Sequence, residues 1–236
     1  MITSSKSLLV TTLFWSALTA VMLMHVGINR RADFTFPVPW PDEAHFFWQA
    51  HAVAEKNSLQ SDAVNTDRTI LWQPPGYFVI TGLAFKFLGS SFVTARLLSL
   101  VWILGAMTLM VVFCAHYGHR WLTLAVCGLF FLSSRFIASG NVVRMESLLL
   151  LTVIAGLLLI QRRQTVWGLA LLGTAPLIHF NGVLFLPSAL ILVGLTDRFR
   201  GLIRELRRAY WLPLVLTASA WLAYAAVILL NWDSFA

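Results

Sequence analysis

Two acidic residues, Asp42 and Glu43, stand side by side shortly after the first long apolar run of the chain. A carboxylate held close to a membrane surface can take a proton from a hydroxyl group or bind a cation. A second ionisable pair, Arg144 and Glu146, directly precedes another apolar run. Ionisable groups at membrane depth are costly to keep and commonly mark a functional site. These four residues are therefore the first candidates for chemistry.

The letters at positions 42–45 also spell a motif of certain helicases. In those enzymes the motif ends a buried strand and works with a phosphate-binding loop of the type G-x-x-x-x-G-K-[ST]. The chain contains no Gly-Lys-Ser or Gly-Lys-Thr sequence. Pro37, Pro39 and Pro41 are also incompatible with a central strand before the acids. We therefore reject a helicase.

The elements that must position the candidate residues are apolar. Of 236 residues, 58% are hydrophobic and only 11% are charged, whereas a soluble domain is about half apolar and about a quarter charged. The net charge of +7 could indicate nucleic-acid binding in a soluble chain, but here the cations cluster between apolar runs. Membrane topology accounts for that distribution. The sequence therefore predicts an all-α polytopic membrane protein without a nucleic-acid partner.

The apolar runs predict about seven transmembrane helices and two interfacial helices. The first run is about twenty residues long, which exceeds the apolar part of a signal peptide and predicts an uncleaved span. The segment 75–89 reaches only about 20 Å, short of a bilayer core of roughly 30 Å. It is predicted to lie in the interface, like the amphipathic segment 41–56, and both belong to a first extracytoplasmic loop at 30–92. The predicted spans are 7–29, 93–115, 120–137, 146–161, 165–179, 182–196 and 211–230.

Orientation follows from the cations in the short connections, which favour the cytoplasmic side. Arg120, the pair Arg162 and Arg163, and the stretch 196–210 lie in alternate connections and therefore share that side with Lys6. The stretch 196–210 carries five arginines among apolar residues at helical spacing and is interpreted as a surface helix on anionic lipid. The loop 30–92 then lies outside. Polar and ionisable residues gathered on that outer face are Asp42, Glu43, Gln73, Lys86, Arg96, Arg144, Glu146 and His179.

Five short motifs follow the first predicted span in a recognisable order. They are Asp42-Glu43, Gln73-Pro74-Pro75-Gly76-Tyr77, Phe87-Leu88-Gly89, Ala95-Arg96-Leu97 and Arg144-Met145-Glu146-Ser147-Leu148, with His179-Phe180-Asn181-Gly182 as a looser match. With this order, the chain over about residues 7–195 resembles the C-type integral-membrane glycosyltransferases. Within them it resembles the dolichyl-phosphate-mannose–protein mannosyltransferase-like family, which includes bacterial lipid A aminoarabinose transferases.

The resemblance implies an enzyme that takes a sugar from a polyprenyl-phosphate carrier on the extracytoplasmic face of the membrane. That membrane is the inner membrane if the source is bacterial. Asp42 would act as general base on the acceptor hydroxyl, and a single displacement would invert the anomeric carbon. Glu43 and Glu146 would orient the acceptor or hold a divalent cation. The acceptor itself, whether lipid, glycan or protein, is left open.

The resemblance also assigns residues that bind the substrate. The cations among them would neutralise the phosphate that leaves with the carrier. Two positions depart from the family: Glu146 stands where relatives usually have Asp, and Gln73 where they often carry His or Lys. The residues assigned to the substrate are Gln73, Tyr77, Lys86, Arg96, Arg144 and His179.

The number of predicted spans is smaller than in the family, whose members have eleven or more. The resemblance therefore predicts one domain over 1–236 that is incomplete at its C-terminus, with a partner chain as one source of the missing helices. Two alternatives to an enzyme stay open. One is a non-catalytic or truncated membrane subunit of the same fold, and the other is a transporter or flippase. Transporters commonly show inverted repeats and broken helices, which the sequence does not indicate.

Overall fold

The structure of the chain, a computed structural model, describes residues 41–60, 73–115, 131–133, 140–196, 198–207 and 211–230, with isolated positions elsewhere. Every regular element in these ranges is a helix. A 3-10 helix at Phe180–Leu184 joins two of the α-helices. In chain order the α-helices are α1 (Pro41–Lys56), α2 (Gly76–Leu88), α3 (Phe92–Ala115), α4 (Met145–Gln161), α5 (Thr165–Ile178), α6 (Phe185–Gly194), α7 (Arg198–Arg207) and α8 (Leu212–Leu230).

The predicted all-helical class is confirmed, and the helices begin and end close to the predicted bounds. Two helices, Phe92–Cys114 and Leu212–Leu230, are long and apolar enough to cross a membrane. A third span results if the bent pair Phe180–Gly194 and Phe199–Leu206 is counted as one. The predicted total of seven spans and the interfacial placement of α1 and α2 therefore stay predictions. The predicted span 7–29 and most of 120–137 lie outside the described residues.

Helix α1 begins and ends where local chemistry favours it. Pro41 is its first residue, a position where the fixed φ of proline suits a helix and its missing N–H costs nothing. Asp42 and Glu43 follow in the first turn, where the helix dipole favours negative charge. Beyond Lys56, Asn57 takes a left-handed conformation with φ 52°, which asparagine tolerates at a helix end. The sequence therefore presents both acids at the start of a helix.

The described contacts give the helix bundle two chemically different ends. At one end Glu43 contacts Arg96 at the start of α3 and the backbone of Val143 just before α4. We call this the acid end. At the other end the side chain of Gln161 donates to the carbonyl of Phe113, so α3 and α4 finish together. The 17 residues of α4 place the two ends about 25 Å apart.

The second end also carries cationic connections, and we call it the arginine end. Arg162 and Arg163 form the turn from α4 to α5, and α7 lies beside the start of α5 through a contact of Glu205 with the Thr165 N–H. Helix α5 then runs back to the acid end, where the carbonyl of Leu177 lies against the start of α2. The connections predicted to share one side thus lie at one end, as far as the described residues reach.

Helix α4 and helix α5 pack closely because glycines face each other. A Cβ placed on Gly168 would lie 2.6 Å from the carbonyl oxygen of Gly156 and 3.0 Å from the backbone N of Ile160. Small residues that let helix backbones approach are typical of helix pairs in membranes. Helix α8 packs differently: the Thr217 hydroxyl donates to the carbonyl of Ala170 at 3.0 Å, and only 6% of its span is buried.

We expect Gly168→Ala to lower the stability of the protein in detergent. The added methyl group meets backbone atoms, which cannot move aside without separating α4 from α5, and such overpacking costs about 1–3 kcal/mol. The matched control is Gly194→Ala, because a Cβ on that helical glycine meets nothing within 4 Å. Thermal unfolding of the purified proteins measures both. Equal melting temperatures of the two variants would contradict the close packing of α4 on α5.

Candidate active site

A buried ion pair lies at the centre of the acid end. Arg96 donates from Nε to Oε1 of Glu43 at 3.0 Å and from its terminal NH2 to Oε2 at 2.9 Å. The two residues are 3% and 0% exposed. The N–H of Val143 also donates to Oε1 of Glu43, at 2.8 Å. A two-pronged guanidinium–carboxylate pair is among the strongest and most directional hydrogen-bonded contacts in proteins, so it fixes the starts of α1, α3 and α4 relative to one another.

This contact gives Glu43 and Arg96 a positioning role in the structure. Both oxygens of Glu43 are engaged by Arg96, and the pair is withdrawn from solvent. The roles that the resemblance assigns to the two residues, holding the acceptor or a cation and neutralising phosphate, require groups that a ligand can reach. Their contribution to the site is therefore to hold their neighbours.

Asp42 precedes Glu43 by one residue and lies on a different face of α1. Successive residues of a helix are separated by about 100°, so Glu43 is directed into the bundle while Asp42 is exposed. Burial lowers the pKa of His45, which lies one helical turn further along α1, and the negative charge of Asp42 opposes that shift. An exposed carboxylate on a helix start that is anchored by a buried ion pair is held in place and still open to a ligand.

Arg144 and Glu146 form a second ion pair close to the first. Nη2 of Arg144 lies 2.9 Å from Oε1 of Glu146, and the two side chains are 36% and 34% exposed. Arg144 adopts an extended conformation as the residue before α4, and Glu146 occupies the first turn. Since Val143 is held by Glu43, the same tie fixes the backbone next to this pair. Arg144 is thus an accessible cation at the acid end.

Tyr77 lies fully buried between the two acidic groups. Burial raises the pKa of its hydroxyl above the ordinary value, and the charges of Glu146 and Glu43 add to the effect, while nearby Thr81 and Ser99 oppose it. The three hydroxyl groups lie near one another without a hydrogen bond of standard geometry. Tyr77 therefore stays a neutral phenol, and its ring packs edge-on against Phe46, with ring centroids 6.1 Å apart.

His45 and Gln73 add a polar contact beside Asp42. Burial lowers the pKa of His45 below its ordinary value of 6.5, while the neighbouring Gln73 side chain and the charge of Asp42 oppose that shift. Gln73 is itself buried. The segment just before α2 thereby lies beside the face of α1 that carries Asp42, and the role of Gln73 in binding the substrate stays a prediction.

The two remaining predicted residues have other surroundings. His179 begins the 3-10 helix, and its Nδ1 accepts a hydrogen bond from the N–H of Asn181 at 3.1 Å. Lys86 is exposed at the last turn of α2, where its amino group contacts the side chain of Asn57 beyond the end of α1. Nine residues of helix separate Lys86 from Tyr77, a rise of about 14 Å. The structure therefore does not bring Lys86 to Asp42.

Sequence reasoning overlooked part of this group. Asp42, His45 and Gln49 are spaced by three and four residues, so they share one face of α1. Gln49 is fully buried, and neither its side-chain oxygen nor its nitrogen has a hydrogen-bond partner among the described residues. The helical spacing of the three residues is the signal in the sequence that points to His45 and Gln49 as members of this group.

The acid end shows no ready metal site. Among the described residues no three His, Cys, Asp or Glu side chains come together closely enough to hold an ion, and Glu43 is taken up by Arg96. Of the two acids predicted to hold a divalent cation, Glu43 and Glu146, only Glu146 is accessible among the described residues.

Comparisons with protein-family models, curated proteins and solved structures found no match. The membership suggested by the five motifs accordingly stays a prediction, and function must be argued from the geometry of the site.

Glu43→Gln is expected to destabilise the protein strongly. The substitution removes the negative charge that pairs with Arg96. Leaving a buried charge without its counterion costs about 3–5 kcal/mol. The double variant Glu43→Met with Arg96→Met removes both charges and should recover most of the lost stability. Thermal unfolding and yield in detergent measure the effect. A double variant whose loss of stability equals the sum of the losses in the single variants Glu43→Met and Arg96→Met would show that the two residues do not act as a pair.

Stability should fall as the pH drops below 6.5, and His45 should contribute to the fall. The folded pKa of His45 is lowered, so below 6.5 the unfolded chain binds a proton that the folded chain resists, until the pH passes the folded pKa. His45→Gln should therefore flatten the decline in melting temperature between about pH 7 and about pH 5. An unchanged decline would show that His45 is not the responsible group.

Proposed function

We propose that this chain is a membrane glycosyltransferase that moves a sugar from a polyprenyl-phosphate carrier to a lipid, glycan or protein acceptor. One observation carries the proposal: Asp42 is exposed on a helix start that the buried Glu43–Arg96 pair anchors, and the accessible Arg144–Glu146 pair lies at the same end. A base and a cation fixed relative to each other are the two groups that such a transfer needs.

Asp42 is the base in this proposal. Its carboxylate takes the proton of the acceptor hydroxyl while that oxygen forms a bond to the anomeric carbon of the sugar. The bond from the anomeric carbon to the phosphate oxygen breaks at the same time, and its electron pair leaves with the polyprenyl phosphate. Because attack and departure occur on opposite faces, the anomeric configuration is inverted.

Arg144 is the cation that meets the leaving phosphate. Its guanidinium group is accessible, whereas that of Arg96 is buried against Glu43. Glu146 holds Arg144 in position from the first turn of α4. A fixed cation is most effective where charge develops during the reaction, so Arg144 favours departure of the carrier phosphate.

The proposed setting is the surface of a bilayer. In the part of the chain that the structure describes, two helices, or three if the bent pair counts as one span, are long and apolar enough to cross a membrane, and a polyprenyl carrier confines its phosphate to the headgroup depth. We place the acid end on the extracytoplasmic side and the arginine end in the cytoplasm, following the distribution of cations. For a bacterial chain the membrane is the inner membrane. We place the helices of a partner chain against the exposed surface of α8.

Asp42→Asn should abolish sugar transfer in membranes that contain the full chain. Loss of a general base lowers the rate by about 10²–10⁴-fold, and the exposed position of Asp42 leaves folding intact. The measurement is transfer of radiolabel from a pool of polyprenyl-phosphate sugars, normalised to the amount of protein. Glu55→Gln is the matched control, because Glu55 is an exposed acid on the same helix and should be dispensable.

The outcomes separate the competing functions. Activity of the Asp42→Asn variant equal to that of wild type would remove Asp42 from the mechanism. Loss in the Glu55→Gln variant as well would point to a general effect of charge on α1. A wild-type chain without activity toward any carrier sugar would instead favour the non-catalytic subunit.

A further inference from the structure

Four exposed arginines converge at the arginine end, away from the proposed active site. Arg162 and Arg163 lie in the turn between α4 and α5, and Arg200 and Arg204 lie on α7. The two segments are neighbours because the carboxylate of Glu205 accepts hydrogen bonds from the first backbone N–H groups of α5, at 3.0 and 2.8 Å. The contact thus joins two cationic segments that are distant in sequence.

The same contact fixes the rotation of α7 about its axis. With Glu205 facing α5, the residues one and five positions earlier lie about 100° and about 140° around the helix from it, because each residue turns the helix by about 100°. These are Arg204 and Arg200, both exposed. Phe199 and Ile203 are 51% and 37% exposed on the adjoining strip. An apolar strip flanked by cations is typical of a helix that lies among lipid headgroups.

Arg163 occupies a backbone conformation that favours glycine. Its φ is +64°, and it closes the end of α4 through hydrogen bonds from its own N–H to Ile160 and from the N–H of Gln164 to Leu159. Glycine is the usual residue at this left-handed position. A cation gains from the dipole at a helix C-terminus, but neighbouring Arg162 already supplies one. Neither the backbone conformation nor the helix dipole therefore accounts for an arginine at position 163.

We propose that Arg162, Arg163, Arg200 and Arg204 form a binding site for the phosphate-bearing headgroups of anionic glycerophospholipids. Guanidinium groups pair with phosphate oxygens through two hydrogen bonds at once. Helix α8, which is apolar and mostly exposed, starts at this same end through its packing along α5. Headgroups of the surrounding bilayer therefore lie at the depth of the arginines. The site is distinct from the acid end, about 25 Å away along α4.

The test uses the purified full chain in a neutral detergent. Binding of phosphatidylglycerol is compared with that of phosphatidylcholine carrying the same acyl chains and with inorganic phosphate. Each arginine near a membrane surface contributes a factor of about 5 in affinity. The pairs Arg162→Gln with Arg163→Gln and Arg200→Gln with Arg204→Gln should each weaken phosphatidylglycerol binding about 25-fold. Arg200→Lys with Arg204→Lys should retain most of it, and Lys56→Gln, outside the site, should change nothing.

Arg163→Gly separates lipid binding from folding. Relief of the left-handed strain should raise the melting temperature in the absence of lipid, while loss of the charge weakens phosphatidylglycerol binding about 5-fold. A more stable variant with weaker binding supports the site. Unchanged binding would overturn it, as would equal affinity for phosphatidylcholine. Inorganic phosphate binding as tightly as phosphatidylglycerol would show a phosphate site and overturn the assignment to lipid.

Discussion

The buried pair of Glu43 and Arg96 is the contact on which the acid end depends. It joins the start of α1 to the start of α3, and through the Val143 N–H to the start of α4. Two charges in an apolar bundle are tolerated only when they satisfy each other. This requirement fixes the relative positions of the three helices, because a shift of any of them would leave Glu43 or Arg96 without a hydrogen-bond partner. The ion pair therefore determines where the neighbouring groups can lie.

The different surroundings of the two adjacent acids follow from helix geometry. Glu43 and Asp42 are chemically similar and adjacent in sequence, yet one is buried and the other exposed. A turn of about 100° between successive residues is enough to separate an anchor from a reactive group. The ion pair of Arg144 and Glu146 lies at another helix start, that of α4, and both of its side chains are partly exposed. The proposed site is thus assembled from helix beginnings, each held by a contact behind it.

The two ends of the bundle carry different chemistry for a common reason. Helices of opposite direction put alternate connections at the same end, so Asp42, Glu43 and Glu146 lie at one end, while the cationic connections with Arg162, Arg163 and the arginines of α7 lie at the other. Glu205 is an acid within the cationic region, and its position is explained by the N–H groups at the start of α5, from which it accepts hydrogen bonds. Close packing of Gly168 against Gly156 holds α4 and α5 side by side. Helix α7, which Glu205 holds against α5, is thereby connected through α5 to α4, whose first residues lie at the acid end.

The amino-acid sequence by itself determined the helical class and the bounds of the helices. Long apolar runs cannot satisfy their backbone groups in lipid except as helices, and prolines, glycines and charges punctuate them. It also located the acids Asp42 and Glu146 at helix starts. The sequence could not tell which acid is anchored, because burial depends on the partner, and Arg96 lies 53 positions from Glu43. Only the tertiary structure separated Lys86 from Asp42 and brought Gln73 toward it, since the distances between these residues are decided by how α1 and α2 pack.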